Sequence, residues 1–236
     1  MGILMKTHDG TDWMSRYDRS PHAIYGPEQV NRLAVYFEAW KVPFHAWYVA
    51  KGIDPVREAQ MCSEVIDAGA RSITVDLEPF DLYWRGTPEG ALAFGNEFRR
   101  LKPDAKLYVT VDPRPWMLCK TPVAEFASFS NGLAPMTYWE TFNSPANWRL
   151  FQQHGFPPGP FGVTPEYVLD VAKTVLSPYG LPIWPAGEGS PRNGDAWVNF
   201  VSHANGLGMR SVSVWRYGTA DQRVWRLLKE MGPKPA

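Results

Sequence analysis

The chain of 236 residues has only two cysteines, Cys62 and Cys119, and their positions match no metal-site or redox spacing. One falls in an expected helix and the other just after an expected strand, so both read as buried thiols. Net charge is missing as well: 24 Lys plus Arg balance 24 Asp plus Glu. This removes the basic field that nucleic acid or an anionic membrane surface would need. No apolar run approaches the ~18 residues of a membrane span, and the N-terminus lacks the charged and apolar regions of a secretory signal. Met1 and Gly2 lead straight into ILMK. Linkers, low-complexity blocks and charge runs are also wanting, so the reading is one domain over residues 1–236.

Large aromatic side chains are abundant: 11 Trp, 10 Tyr and 12 Phe. Most belong in a core, and some are expected to line a cleft. Strand-like runs alternate with amphipathic helix-like runs, the pattern of a parallel sheet with crossover helices. The strand candidates are Gly2 to Lys6, Pro43 to Val49, Ser72 to Glu78, Lys106 to Asp112, Leu133 to Trp139, Leu181 to Gly187 and Ser211 to Tyr217. Asp54-Pro55, Thr87-Pro88, Ser144-Pro145 and Thr164-Pro165 each place a capping side chain before a proline, which marks four helix starts. Gly69, Gly155 and Gly208 mark helix ends. The expected fold class is α/β, a (β/α) TIM-type barrel, for which ~250 residues is typical. A doubly wound sheet is the rival, and in both the ligand site lies at the carboxyl ends of the strands.

The polar residues at those ends are Lys6, His8 and Asp9, His45 and Tyr48, Asp76 and Glu78, Asp112 and Arg114, Tyr138 and Glu140, Glu188, and Trp215, Arg216 and Tyr217. In SITVDLEPF, Ile73, Val75 and Leu77 share one face of a strand while Ser72, Thr74, Asp76 and Glu78 share the other. Two acids on one face repel and desolvate each other, so Asp76, one pleat deeper, is expected to hydrogen-bond Glu78 and raise its pKa, keeping Glu78 protonated as a general acid beside an ionised Asp76. Glycoside hydrolysis needs such a proton at the leaving oxygen. The structural alternative is an acid pair bound to Arg71 or Arg85 at the rim.

With DLE followed by LAPMTYWETF and SVSVWRYG, the chain resembles the chitinase-type glycoside hydrolases of family eighteen, which carry a DxE strand, an M-x-Y strand and a late-strand Trp in that order. The resemblance implies Glu78 as acid/base, Asp76 orienting the substrate's acetamido group, Tyr138 hydrogen-bonding that group and Trp215 flooring the pocket. KTHDGTDW is similar to a strand end of the lysozyme-like muramidases of family twenty-five. A group of bacterial glycoside-hydrolase-like barrel proteins, ending strands in DxE, P-x-x-YW and S-x-W-R, is more similar again. There are departures. Ser72 and Thr74 stand where the chitinase motif has acids, and Trp139 stands where an Asp usually follows the tyrosine. GILMK aligns with the second barrel strand, so seven strand/helix units are visible and the first of the expected eight is missing or replaced. A partner segment or chain completing the barrel is the corresponding expectation.

The expected activity is therefore hydrolysis of an N-acetylhexosamine-containing glycan, of peptidoglycan or chitin type, with no cofactor. Asp9, His45, Tyr48, Asp112, Glu140, Glu188, Trp215 and Arg216 are expected around the sugar, and Asp112 and Glu140 are the candidates for an enzyme nucleophile. The competing class is a barrel that only binds glycan or serves in assembly. A metal centre built from His8, Asp9, His45, Asp76, Glu78 and Asp112 lacks any HxH or HExxH spacing, and Lys6 precedes a polar loop ill suited to a Schiff-base lysine. PAGEGSPRNGD fits no phosphate-binding pattern, leaving Glu188 to face the cleft. A glycan substrate would imply a cell-wall, extracellular or phage setting.

Overall fold

The structure is a computed structural model describing residues 1–190 and 194–231. In chain order its elements begin with β1 (Ile3–Asp9), β2 (Asp12–Trp13), α1 (Pro27–Ala39), β3 (Phe44–Val49), α2 (Pro55–Asp67) and β4 (Ser72–Leu77). There follow α3 (Pro88–Leu101), β5 (Lys106–Val111), α4 (Pro115–Leu118), α5 (Val123–Ser128), β6 (Gly132–Thr137), α6 (Trp139–Phe142) and α7 (Pro145–Gln153). The chain ends with α8 (Pro165–Leu176), β7 (Ala186–Glu188), α9 (Ala196–Gly206), β8 (Ser213–Trp215) and α10 (Gln222–Met231). No helix among the described residues is long and apolar enough to cross a membrane.

The four Xaa-Pro helix starts cap as their chemistry dictates. Asp54, Thr87, Ser144 and Thr164 each accept a hydrogen bond from the backbone N–H three residues on, while the proline following each lacks the donor that the first turn cannot satisfy. Gly69, Gly155 and Gly208 follow α2, α7 and α9 with φ of +110°, +83° and +75°.

The chain packs as two compact units. In the first, Met1–Thr110 with Thr121–Asn131, the strand order is β2-β1-β3-β4-β5. β1, β3 and β4 are parallel, and β2 pairs antiparallel with β1 through His8↔Trp13 and Asp9↔Asp12. The side of β1 where a preceding barrel strand was expected thus carries, at its carboxyl end, a two-residue strand returned by a turn through Gly10. Phe44, Tyr48, Ile73, Val75 and Leu77 are fully buried beneath the helices, with Phe94 and Phe98 of α3 and Phe126 of α5.

The second unit, Val111–Lys120 with Gly132–Ala236, contains β6-β7-β8 in parallel register. Its core gathers Met136, Trp139, Phe151, Leu169, Trp197 and Phe200. The strand expected over Leu181 to Gly187 shrinks to Ala186–Glu188, preceded by a single bridge at Ile183, because Pro182 and Pro185 have no N–H to donate to a ladder. Cys62 is buried as expected, but Cys119 is exposed, since the chain turns into α4 after Arg114 and leaves it at that helix's end.

Gly95 on α3 faces Phe129, whose ring would lie 2.1 Å from an added Cβ. Gly95→Ala should therefore cost about 1–3 kcal/mol by overpacking, and Thr87→Ala about 1 kcal/mol through the lost cap. Denaturant titration reads both, and a Gly95→Ala protein as stable as the parent would show that the ring is free to move aside.

Candidate functional site

The pleat of β4 decides where its acids point. Ile73, Val75 and Leu77 are buried toward the helices, while Ser72, Thr74 and Asp76 lie on the opposite face, with Glu78 following at the strand's end. Asp76 keeps some exposure as a residue, yet its Oδ1 is sealed from solvent and has no hydrogen-bond partner. Burial pushes its pKa well above the ordinary carboxylate range, the charge of Glu78 pushes the same way, and Lys6 opposes. Glu78 is half-buried, and the Tyr83 hydroxyl hydrogen-bonds it. Burial and then the charges of Glu78, Asp76 and Asp9 hold that phenol firmly protonated. Of the arginines named for the rim alternative, Arg71 pairs with Glu38, and Arg85 bonds the Asp81 carbonyl.

A bulge in β1 sets the neighbouring charges. The register with β3 runs Leu4↔His45, Met5↔Ala46, Lys6↔Trp47, then shifts, so that His8 opposes Tyr48 and Asp9 opposes Val49. An unbroken two-residue period would have put Lys6 and His8 on one face and Asp9 on the other. With the extra residue at Thr7, the strand is rephased, and Lys6 and Asp9 meet at 2.9 Å. Lys51, just past β3, reaches the other oxygen of Asp9 at 2.7 Å. Burial alone would raise Asp9, but the hydrogen bonds and charges of Lys51 and Lys6 outweigh it and hold the carboxylate below its usual range.

The same bulge removes His8 from the strand-end cluster. His8 is fully buried, stacked on Tyr48 at 4.5 Å and 3.7 Å from Cys62 Sγ. Burial pulls its pKa down to about 3, so it stays neutral. Tyr48, expected near the sugar, instead faces the helices against Phe94, because it shares the pleat phase of Phe44. His45 lies on the opposite face but near the amino end of β3, bonded at 2.7 Å to Ser72 at the amino end of β4, away from the acids at the carboxyl end of β4. Both histidines named for a metal centre are thus set apart from the acids of β4, and among the described residues no group of three or more His, Cys, Asp or Glu could hold an ion.

In the second unit, Asp112 does not present an open carboxylate. It is buried and held by Arg114 through Nε at 3.0 Å to each oxygen, through a further guanidinium contact and through the backbone N–H at 3.0 Å. The guanidinium also lies 4.4 Å from the Phe142 ring. Glu188, expected to face the cleft, is buried and accepts from the N–H groups of Glu140 and Thr141 and from Thr141 Oγ1 at 2.7 Å. It thereby satisfies the exposed donors at the start of α6, although burial still raises its pKa. The strand expected to run to Trp139 bends into that helix, leaving Tyr138 half-buried against Phe142 and Glu140 exposed, where it accepts from Ser190. Trp215, at the end of β8, and Arg216 are exposed, and the peptide bond joining them is cis. Residues 191–193 of PAGEGSPRNGD lie outside the described residues.

Tyr83 and Lys51 were not singled out from the sequence. Both sit in loops just beyond a strand, where no periodicity fixes direction.

Neither a protein-family model nor a curated protein matches the chain. Solved structures do match. A glycoside hydrolase family 18 N-acetylglucosaminidase from Paenibacillus barengoltzii gives a TM-score of 0.61 over 98% of this chain and 99% of that one, at 8% identity. Active domain 2 of a chitinase from Pyrococcus furiosus gives 0.58 over 90% and 81%, at 13% identity. The spore cortex-lytic enzyme SleL from Bacillus megaterium gives 0.52 over 98% and 74%, at 10% identity. Such likeness establishes fold: the chain has an α/β fold of the glycoside-hydrolase TIM-barrel type, as the order of its motifs implied.

The raised pKa of Asp76 has a signed consequence. In the unfolded chain the group releases its proton near ~3.9, whereas the native protein retains it to a higher pH. Above ~3.9 the native state therefore binds more protons, and stability falls as pH rises toward the native pKa. Asp76→Asn should be more stable than the parent at pH 7, with the gain disappearing as pH falls to about 4. Thermal unfolding across that range checks this, and a gain independent of pH would contradict it.

Proposed function

We propose that the protein is a glycoside hydrolase acting on an N-acetylhexosamine-containing glycan of chitin or peptidoglycan type, with Glu78 as general acid/base and Asp76 as its partner. The observation that carries this reading is the acid pair at the carboxyl end of β4, with the deeper carboxyl sealed from solvent and the outer one half-buried beside Tyr83. Desolvation and mutual repulsion disfavour the doubly ionised pair. Asp76, expected as the ionised partner, instead keeps its own proton, and beside that neutral neighbour Glu78 carries a second proton, the one a leaving oxygen takes. Fold likeness to a family 18 N-acetylglucosaminidase, a chitinase and a spore cortex-lytic enzyme supports the substrate class.

In this reading Glu78 protonates the leaving glycosidic oxygen while the substrate's acetamido oxygen attacks the anomeric carbon. Water then completes hydrolysis, giving its proton back to Glu78. The state of Asp112 favours this substrate-assisted course over an enzyme nucleophile, because its oxygens are occupied by Arg114. Asp76 orients the acetamido group or Glu78 through its retained proton.

Glu78→Gln should lower the release of reducing ends from chito-oligosaccharides or peptidoglycan by about 10²–10⁴-fold, the usual worth of a general acid, while glycan binding persists. Equal binding without turnover in both proteins would make the barrel a glycan-binding module, and the hydrolase reading would fail.

A further inference from the structure

The charges around the acid pair balance only while Glu78 is ionised. Lys6 and Lys51 place two ammonium groups on the single carboxylate of Asp9, at 2.9 and 2.7 Å. The three side chains are only 25%, 22% and 16% exposed. Asp76 is the next carboxyl across the sheet, through Asp9↔Val49 and Val49↔Asp76. Its Oδ1 is sealed from solvent, and burial together with the charge of Glu78 favours its neutral form, so it supplies no second counter-charge. Whenever Glu78 carries the proton needed at a leaving oxygen, this corner of the first unit holds one cation in excess. A partly desolvated ammonium without a counter-ion is costly, and an ammonium's three donors leave room for an anion after one bond to Asp9.

The two lysines are held in place. Lys6 Nζ lies 5.2 Å from the centroid of the Trp47 ring, and Lys51 Nζ lies 5.9 Å from that of Tyr17. The backbone of Lys51 is fixed on both sides: its N–H donates to Glu58 Oε2 at 3.1 Å, and its carbonyl accepts from Arg85 N–H at 2.8 Å. The second of these ties it to the loop that follows Glu78.

We propose that Lys6 and Lys51 form a carboxylate-recognising subsite beside the acid pair, so that the preferred glycan carries an acidic sugar, a lactyl ether or a uronate, next to the N-acetylhexosamine. This rests on the hydrolase reading for its position and deepens it by naming the substrate class. A carboxylate bound there completes the charge balance and favours the protonated state of Glu78, which links recognition to the proton the reaction uses. A neutral, chitin-like oligosaccharide supplies no such anion.

The test measures affinity, which needs no turnover. Calorimetry in a Glu78→Gln background would compare a peptidoglycan-type tetrasaccharide, a uronate-containing N-acetylhexosamine oligosaccharide, and each after reduction of its carboxyls to alcohols. The expected result is about tenfold tighter binding of one or both acidic forms, weakening as salt is raised. The preference should be lost in Lys6→Gln or Lys51→Gln and kept in Lys51→Arg, which preserves charge. Equal affinity for acidic and reduced glycans, a loss in Lys51→Gln shared by both, or no binding of either acidic form overturns the proposal. Carboxylate preference in a protein whose parent never turns over glycan would sink the hydrolase reading alone.

Discussion

The register of three parallel strands, β1, β3 and β4, governs what this protein can do at their carboxyl ends. Because side chains alternate, a single-residue shift exchanges every group facing the helices for one facing away. β4 keeps an unbroken pleat, so its branched apolar residues lie under the helices and Asp76 emerges on the other face. β1 breaks its pleat once, at Thr7, and that break sends His8 into the apolar layer and Asp9 to Lys6. An acid pair with a lysine-clasped aspartate beside it is the outcome of two strands handled differently.

Burial then sets the chemistry. Asp76, His8 and Glu58 are ionisable groups in poorly solvated places, and each is driven toward its neutral form, with Glu58 raised to about 7. Asp76 stands beside Glu78 at a strand's carboxyl end, whereas the carboxyl near Glu58 is Asp54, the cap of its own helix. That proximity separates a group suited to proton transfer from groups that hold a loop or fill a layer: the Glu58 carboxylate accepts the N–H groups of Lys51 and Gly52, and His8 packs between Tyr48 and Cys62.

Much of the fold was legible. Four Xaa-Pro starts, three glycine stops and the alternating run Ser72 to Leu77 are local signals, and local geometry honoured them. The motif order DLE, MTY and SVW pointed to the barrel class that the solved structures share. The site was less legible, since its errors come from non-local causes. A bulge cannot be read from KTHDG, whose side chains suit either phase. Glu188 reads as a cleft acid until the strand carrying Tyr138 bends and presents bare N–H groups to it. Asp112 reads as a nucleophile until Arg114, two residues on, folds back over it. In each case the polar group found its partner in another part of the chain.

The account stands or falls with the protonation of one carboxyl. Carbon-13 NMR of side-chain carboxyls, assigned by comparison with Asp76→Asn, would follow Asp76 through a pH titration of the folded protein. The account predicts a midpoint above the ordinary aspartate value of ~3.9, the direction that burial and the charge of Glu78 impose. A midpoint at or below that ordinary value would contradict it.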